Sequence, residues 1–301
     1  MSEKEQIPHK RPPTVIQIAP QITRVLAPNP SPMTEAGTNT YLVGRKELAV
    51  IDPGPNDSRH LEELLAEIGD RPVNAILVTH SHRDHSLLCP ALKEKTGAPV
   101  LAYGGSEAGR SAVMTKLVGK VGGGEGVDTD FTPDRSIADG EVIEGADWAL
   151  TALWTPGHMG NHLCFAMDDT VFTGDLVMGW STSLVSPPDG DLVAFMSSCR
   201  VLAARTDRMF LPGHGGPITD PATRLAELIS HREARMNQIR AALIEAPGTP
   251  RALTQRVYQD VESKLLPVAE RNLLAHLIAL VETNEAQADP EIGPQAVFSL
   301  R

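Results

Sequence analysis

The stretch THSHRDH, residues 79–85, contains three of the ten histidines in the chain together with one aspartate. It follows the mostly apolar run VNAILVT, which is typical of a buried strand. Side chains two positions apart on an extended chain share a side, so His80 and His82 are predicted to reach one metal ion. Asp84 and His85 fall where the chain turns into the next predicted helix, and they can face a second ion. Imidazole and carboxylate ligands without a thiolate suit zinc or a similar divalent ion.

Three later strands are predicted to end in the same residue types, each beside a glycine. TPGH ends in His158, FTGD ends in Asp175, and LPGHGG contains His214. In open α/β sheets, functional residues gather at the carboxyl ends of the strands. Because one carboxylate has two oxygens, Asp175 is predicted to bridge two ions. The predicted metal-binding set is His80, His82, Asp84, His85, His158, Asp175 and His214.

The remaining pattern over residues 15–220 predicts an α/β fold with helices outside packed sheets. Short apolar runs bounded by turn residues, such as TYLVG, ELAVID and LCFAM, are predicted strands. The segment SRHLEELLAEIG has apolar residues at helical spacing and a glycine at its end, which predicts a helix. We divide the chain into a flexible arm (1–14), a catalytic domain (15–220) and a C-terminal domain (221–301).

A glycine-rich segment interrupts this pattern at residues 104–126. It lacks a strand pattern and contains at most one short helix, so it is predicted to be a mobile surface loop or lid. Its triple glycine, residues 122–124, is not expected to cradle a phosphate, because no strand leads into a Gly-x-x-x-x-Gly-Lys-Ser/Thr motif.

Composition limits the remaining classes. The formal net charge is −11, which argues against a broad basic surface for nucleic acid. The three cysteines are widely spaced and odd in number, so a reducing compartment is expected. The polar, Pro-rich N-terminus lacks a signal-peptide core, and no run of about 18 apolar residues occurs, which predicts a cytoplasmic protein without a membrane span.

Residues 221–301 are predicted to form three helices followed by a turn and a strand, an order that resembles a winged-helix domain. This region contains nine Arg and Lys residues and ten Asp and Glu residues, a balance of −1. A DNA-reading helix is normally basic. We therefore expect the domain to pack, dimerise or shape a substrate cleft, and we do not expect it to bind duplex DNA.

Taken together, the motifs THSHRDH, TPGH, TGD and PGHGG resemble those of the metallo-β-lactamase fold superfamily over roughly residues 15–220. The resemblance implies a four-layer αββα sandwich with two metal ions, expected to be zinc, at one edge. It implies that His80, His82 and His158 hold the first ion. By the same resemblance, Asp84, His85 and His214 hold the second ion, with Asp175 bridging. The helical tail is similar to that of the β-lactamase-like protein 2 group, which includes single-strand-specific endoribonucleases.

Three functions are open at this point. The first is a hydrolase in which a hydroxide shared by two ions attacks a phosphodiester, such as that of single-stranded RNA. The second is a thioester hydrolase resembling hydroxyacylglutathione hydrolases. The third is a winged-helix nucleic-acid binder with an inactive hydrolase domain. Asp84 is the expected proton shuttle, and Asp175 is the other expected catalytic residue. The substrate is expected to be a small molecule or RNA, and the chain is compatible with a homo-oligomer.

Two further sets of residues have open roles. His162, four positions after His158, is predicted to be a supporting or pocket residue rather than a metal ligand. The turn WSTS, residues 180–183, either lines the pocket or is closed by its own hydroxyls. Cys89 and Cys164 are predicted core residues.

Overall fold

A seven-stranded sheet forms the first half of the chain in the computed structural model, which describes residues 12–259, 262 and 266–301. Its strands are β1 (Val15–Ala19), β2 (Ile22–Leu26), β3 (Asn39–Val43), β4 (Leu48–Ile51), β5 (Val73–Leu77), β6 (Val100–Ala102) and β7 (Arg135–Ser136). They lie side by side in chain order. The first four are antiparallel neighbours, and β4 to β7 run parallel. The predicted flexible arm comprises residues 1–14, and its residues 1–11 lie outside the described part of the chain.

A five-stranded sheet forms the second layer. Its strands are β8 (Val142–Glu144), β9 (Ala149–Trp154), β10 (Leu163–Met167), β11 (Thr170–Gly174) and β12 (Met209–Pro212). Their spatial order is β12-β11-β10-β9-β8, and only the β11–β12 pair within it is parallel. The two sheets bury a shared apolar core to which Ile51 and Leu77 contribute from one side, and Phe165 and Phe172 from the other.

Helices cover the outer face of each sheet. α1 (Ser58–Ile68) starts at Asp57, whose side chain accepts two backbone N–H groups, and ends at Gly69 with φ of 58°. α1 packs on the larger sheet together with α3 (Cys89–Thr96), which follows the short α2 (Arg83–Ser86). α5 (Leu192–Ala203) packs on the smaller sheet through Phe195, whose full burial contributes about 1.5–3 kcal/mol. The predicted αββα sandwich is therefore confirmed.

Within its described residues, the C-terminal region contains three helices and a two-stranded sheet. Its elements are α6 (Pro221–Glu245), α7 (Pro250–Val257), α8 (Leu266–Glu282), β13 (Ala286–Asp289) and β14 (Val297–Leu300). The predicted turn and terminal strand are present, and a further strand, β13, pairs with it. α6 packs on two cores, because Leu225 belongs to the core outside the smaller sheet and Ile239 to the core of the C-terminal region.

The glycine-rich segment is largely loop, as predicted, but it does not lie wholly on the surface. It contains α4 (Ala112–Leu117), and Met114 and Leu117 of this helix are buried in the core of the C-terminal region. The pattern did not show this packing, because the apolar partners come from more than 100 residues further along the chain. Across the described ranges, no helix is long and apolar enough to cross a membrane.

Candidate metal centre

The seven residues predicted to bind metal lie at one edge of the sandwich, in four chain segments that leave strands or begin a helix. His80 and His82 follow β5, Asp84 and His85 lie in α2, and the other three follow β9, β11 and β12. Their donor atoms form two groups, and within each group all of these atoms lie within 4.8 Å of one another. The first group is His80, His82, His158 and Asp175, and the second is Asp84, His85 and His214.

The first group is built from three converging imidazole nitrogens. His82 Nδ1 lies 2.9 Å from His80 Nε2 and 3.0 Å from His158 Nε2. Asp175 Oδ2 lies 3.7 Å from His158 Nε2. This arrangement presents three nitrogens and one carboxylate oxygen to a single point, which is the donor set of a zinc site.

The second group shares the Asp175 carboxylate. Asp84 Oδ2 lies 3.3 Å from His214 Nε2 and 3.7 Å from His85 Nε2. Asp175 Oδ2 lies 3.4 Å from His214 Nε2, and its Oδ1 lies 3.6 Å from His85 Nε2. Asp175 therefore lies beside both groups, and its role between two ions stays a prediction.

Two buried atoms of this cluster need a further partner. His85 Nε2 and Asp175 Oδ1 have no hydrogen-bond partner among the residues that the structure describes. Leaving such groups unpaired costs about 1–3 kcal/mol each. A side chain at position 213 would clash here, because a Cβ on Gly213 would lie 2.5 Å from Asp175 Oδ1. The site thus has inward-facing donors and a wall without a side chain, which fits bound divalent ions.

Backbone carbonyls orient two of the histidines. His158 Nδ1 donates to the Leu184 carbonyl oxygen at 2.7 Å, and His214 Nδ1 donates to that of Gly37 at 3.2 Å. Each bond places the proton on Nδ1 and leaves the Nε2 lone pair for the cluster.

Sequence analysis missed Asp52, a buried carboxylate at the end of β4. Its Oδ2 accepts from His85 Nδ1 at 2.9 Å and from the Thr79 hydroxyl at 2.7 Å. Because that hydroxyl donates to Asp52, its oxygen can accept from His80 Nδ1, 3.0 Å away. Asp52 therefore fixes one histidine in each group with Nε2 directed at the cluster. No local motif marks Asp52, because only the parallel pairing of β4 with β5 brings it to the site.

His162 is buried beside the cluster, but both of its ring nitrogens have other partners. Nδ1 donates to the Thr155 hydroxyl at 3.0 Å, and Nε2 accepts the backbone N–H of Asp175 at 3.2 Å. Burial lowers the pKa of His162 to about 3, so the ring is neutral. It holds the backbone of Asp175 and is not in position to ligate, in agreement with the predicted supporting role.

The pKa values of the histidines differ between the two groups. Burial lowers the pKa of His82 to about 3 and also lowers that of His158. Burial acts in the same direction on His214, but Asp175 outweighs it and raises the pKa of His214 to about 9. The pKa of His85 is likewise raised well above its ordinary value, because Asp84 and Asp175 outweigh the effect of burial. Without metal, protons therefore belong to the second group.

The WSTS turn is closed internally. The Ser183 hydroxyl is buried and donates to the Leu176 carbonyl oxygen at 2.7 Å, and the Ser181 hydroxyl donates to the carbonyl of Thr182. Cys89 and Cys164 are buried in the outer cores, as predicted. None of these side chains supplies a nucleophile to the cluster.

Family comparisons agree with this geometry. The profile of the metallo-beta-lactamase superfamily matches residues 33–214, and that of the beta-lactamase associated winged helix domain matches residues 249–291. The chain belongs to the metallo-beta-lactamase superfamily.

Individual relatives point the same way. The chain is 30% identical to a beta-lactamase-like protein 2 homolog of Drosophila melanogaster over 89% of this chain and 90% of that protein. It is 32% identical to an atrochrysone carboxyl ACP thioesterase of Aspergillus chevalieri over 83% of this chain and 75% of that protein. Some curated relatives are longer, and the chain spans 66% of their length. A crystal structure of a metallo-beta-lactamase family protein from Thermus thermophilus has 28% identity and a TM-score of 0.75, covering 95% of this chain and 100% of that one.

Proposed function

We propose that this chain is a metal-dependent hydrolase with a two-ion centre. The observation that carries the proposal is the complete donor set in two groups joined by the Asp175 carboxylate. Two divalent ions, when bound, would activate a water near neutral pH and polarise the bond under attack. Five imidazoles and two carboxylates without a thiolate favour zinc.

The chain's own residues have distinct tasks in this proposal. The first group would bind its ion through His80, His82 and His158, and the second through Asp84, His85 and His214. Asp175 would contact both ions. Asp84 is the proposed proton shuttle, because its side chain is 28% exposed and can reach a leaving group from the solvent side.

A thioester is the substrate class that we favour. One relative of 32% identity bears the name of an acyl-carrier-protein thioesterase. The phosphodiester alternative has no comparable support, and a net charge of −11 would repel RNA. The inactive-domain alternative conflicts with a donor set in which no member is missing. Since the three cysteines are buried and free, we propose the reducing cytoplasm as the compartment.

A substrate panel tests the proposal. Metal-loaded protein would be offered S-lactoylglutathione, butyryl-N-acetylcysteamine, bis-p-nitrophenyl phosphate and labelled single-stranded RNA. We expect turnover of thioesters, little on the phosphate substrates, and loss of nearly all activity in Asp175→Ala. The matched control His231→Ala removes an exposed histidine of α6 and should retain activity. RNA cleavage without thioester turnover would overturn the substrate class, and full activity of Asp175→Ala would overturn the site.

A further inference from the structure

A groove of about 620 Å³ lies beside the metal centre. One wall comes from residues 105–132, which include the glycine-rich segment, and the other comes from Pro188 and Asp189. The groove is separate from the cluster of histidines and aspartates, and its function is not explained by metal binding.

The walls of the groove contact the backbone of the first ligand group. Val127 lines it and forms an antiparallel bridge with His82, while the Gly126 carbonyl accepts the backbone N–H of Arg83 at 2.8 Å. On the opposite wall, Gly190 follows Asp189 and approaches the His158 backbone, since a Cβ at position 190 would lie 3.1 Å from the His158 carbonyl oxygen. A substrate bound at the cluster would therefore have this groove as a neighbouring surface.

Asp189 occupies the place that an anionic ligand would take. Its Oδ1 accepts from Arg110 Nη2 at 3.1 Å, and its Oδ2 accepts the backbone N–H of Gly124 at 2.7 Å. Both side chains of the ion pair are only 12% exposed. Arg110 also lies 3.6 Å from Glu107. The Arg110 cation and the Gly124 amide that could bind a phosphate are already paired. The charges of Arg110, Asp189 and Glu107 sum to −1.

The rest of the lining is largely apolar or uncharged. Val118, Phe131 and Pro188 contribute apolar surface, and Ser106 and Thr129 contribute polar groups without charge. Such a surface favours an uncharged chain of alkyl and amide groups over a phosphate or carboxylate.

We propose that this groove binds the uncharged arm of the thioester substrate and that Asp189 sets its selectivity against anions. The assignment rests on the proposed thioester function for the identity of the ligand. The uncharged arm can be the acyl chain or the pantetheine-like thiol, which share this chemistry. Asp189 acts by neutralising Arg110 and the Gly124 amide, so that an anionic arm finds no partner there.

Binding of thioether analogues tests this proposal without turnover. The neutral probe is S-butyl-N-acetylcysteamine. S-(3-carboxypropyl)-N-acetylcysteamine carries a carboxylate on the acyl side, and 3-(butylthio)propionate carries one on the thiol side. Kd values would be measured by calorimetry for wild type and variants of equal zinc content, so that direct binding of a carboxylate to the metal cancels in the comparison.

Two charge variants should act in opposite directions. Asp189→Asn keeps an acceptor for Gly124 but removes the more buried of the two carboxylates that pair with Arg110. It should therefore improve the Kd of one charged probe relative to the neutral probe about five- to tenfold. Arg110→Gln should weaken binding of the same charged probe relative to the neutral probe. The probe that responds identifies which arm lies in the groove. The control Asp70→Asn removes a charge in the exposed turn after α1 and should leave both ratios unchanged.

A steric variant tests occupancy directly. Val118→Trp would fill the groove from a half-exposed position and should weaken binding of the neutral probe at least about tenfold. Wild-type affinity in this variant, or unchanged ratios in both charge variants, would overturn the proposal even if thioesters are hydrolysed. Absence of thioester turnover together with the predicted shifts in binding would overturn the proposed reaction and leave the groove assignment in place.

Discussion

Asp52 connects both halves of the metal centre to one buried carboxylate. It accepts from His85 directly and from His80 through the Thr79 hydroxyl. Carboxylates in this position hold a histidine in the tautomer that can ligate, and their loss typically lowers metal affinity 10–100-fold. The two groups are therefore not independent, although each is proposed to bind its own ion.

We predict that Asp52→Asn lowers zinc affinity in both groups by about 10–100-fold. Competition with a chromophoric chelator would measure the two dissociation constants. Thr79→Val is the matched variant, because it breaks only the connection to His80 and should weaken the first ion alone. If Thr79→Val weakened both ions equally, the two branches would not exist as described.

The protonation of the second group predicts a pH dependence of metal binding. Because Asp175 raises the pKa of His214 to about 9, an ion entering the second group must displace a proton at neutral pH. His82, with a pKa of about 3, releases none. Affinity for the second ion should rise with pH up to about 9, whereas affinity for the first should change little. Calorimetry in buffers of different ionisation enthalpy measures the protons released, and equal release for both ions would contradict this prediction.

The raised pKa of His214 also affects the stability of the metal-free protein, and this effect has the opposite pH dependence. A histidine whose folded pKa is raised stabilises the fold below its ordinary pKa of 6.5. That stabilisation is lost as the pH rises through about 9. Alkaline conditions thus favour metal binding while they weaken the metal-free fold.

At the residue scale, the seven clustered residues and the supporting His162 were predictable, but Asp52 was not. Four of the seven lie in the short motif THSHRDH, and the other three follow a strand beside a glycine. A local pattern therefore marks each of them. Asp52 has an ordinary local context, and its partners Thr79 and His85 lie 27 and 33 positions away. Only the parallel pairing of β4 with β5 brings them together.

Helix α6 holds the turn that orients His158. Arg224 donates to the carbonyls of Met178 and Ser181, each at 2.7 Å. Arg232, which is 3% exposed, donates to the carbonyl of Ser183, and the next carbonyl, that of Leu184, accepts from His158. The C-terminal region therefore supports the ligand geometry of the catalytic domain.

We predict that Arg232→Met destabilises the fold by roughly 1–3 kcal/mol, because it leaves the buried Ser183 carbonyl without its donor. It should also weaken the first ion, since the turn that carries Leu184 is released. Urea unfolding and chelator competition give the two quantities. Arg200→Met, which removes an exposed ion pair with Glu233, is the control and should change neither by much. A stability loss without any change in zinc affinity would show that α6 does not orient His158.

At the element scale, the sequence pattern predicted α1, which has an apolar face and a recognisable cap, and it predicted the helical tail. It did not predict that α4 packs into the C-terminal core or that α6 serves two cores. These placements depend on contacts between segments far apart in the chain, and no local spacing encodes them.

The charge of the whole molecule predicts that it does not bind nucleic acid through its C-terminal domain. The chain has a net charge of −11, and residues 221–301 have a balance of −1. Specific DNA binding needs several phosphate contacts from basic side chains. Electrophoretic mobility shift with duplex DNA and single-stranded RNA at about 150 mM salt should therefore show no complex at micromolar protein. A salt-sensitive shift that maps to α8 would revive the nucleic-acid-binding alternative.

The whole fold brings seven residues from four segments to one edge of a sandwich, where we propose that two ions bind. The direct test is anomalous scattering from a crystal of the zinc-loaded protein. We predict two peaks per chain, one about 2.0–2.1 Å from the nitrogens of His80, His82 and His158, and one at the same distance from His85 and His214, with Asp175 contacting both. A single peak, or zinc bound away from this cluster, would contradict the proposed two-ion centre.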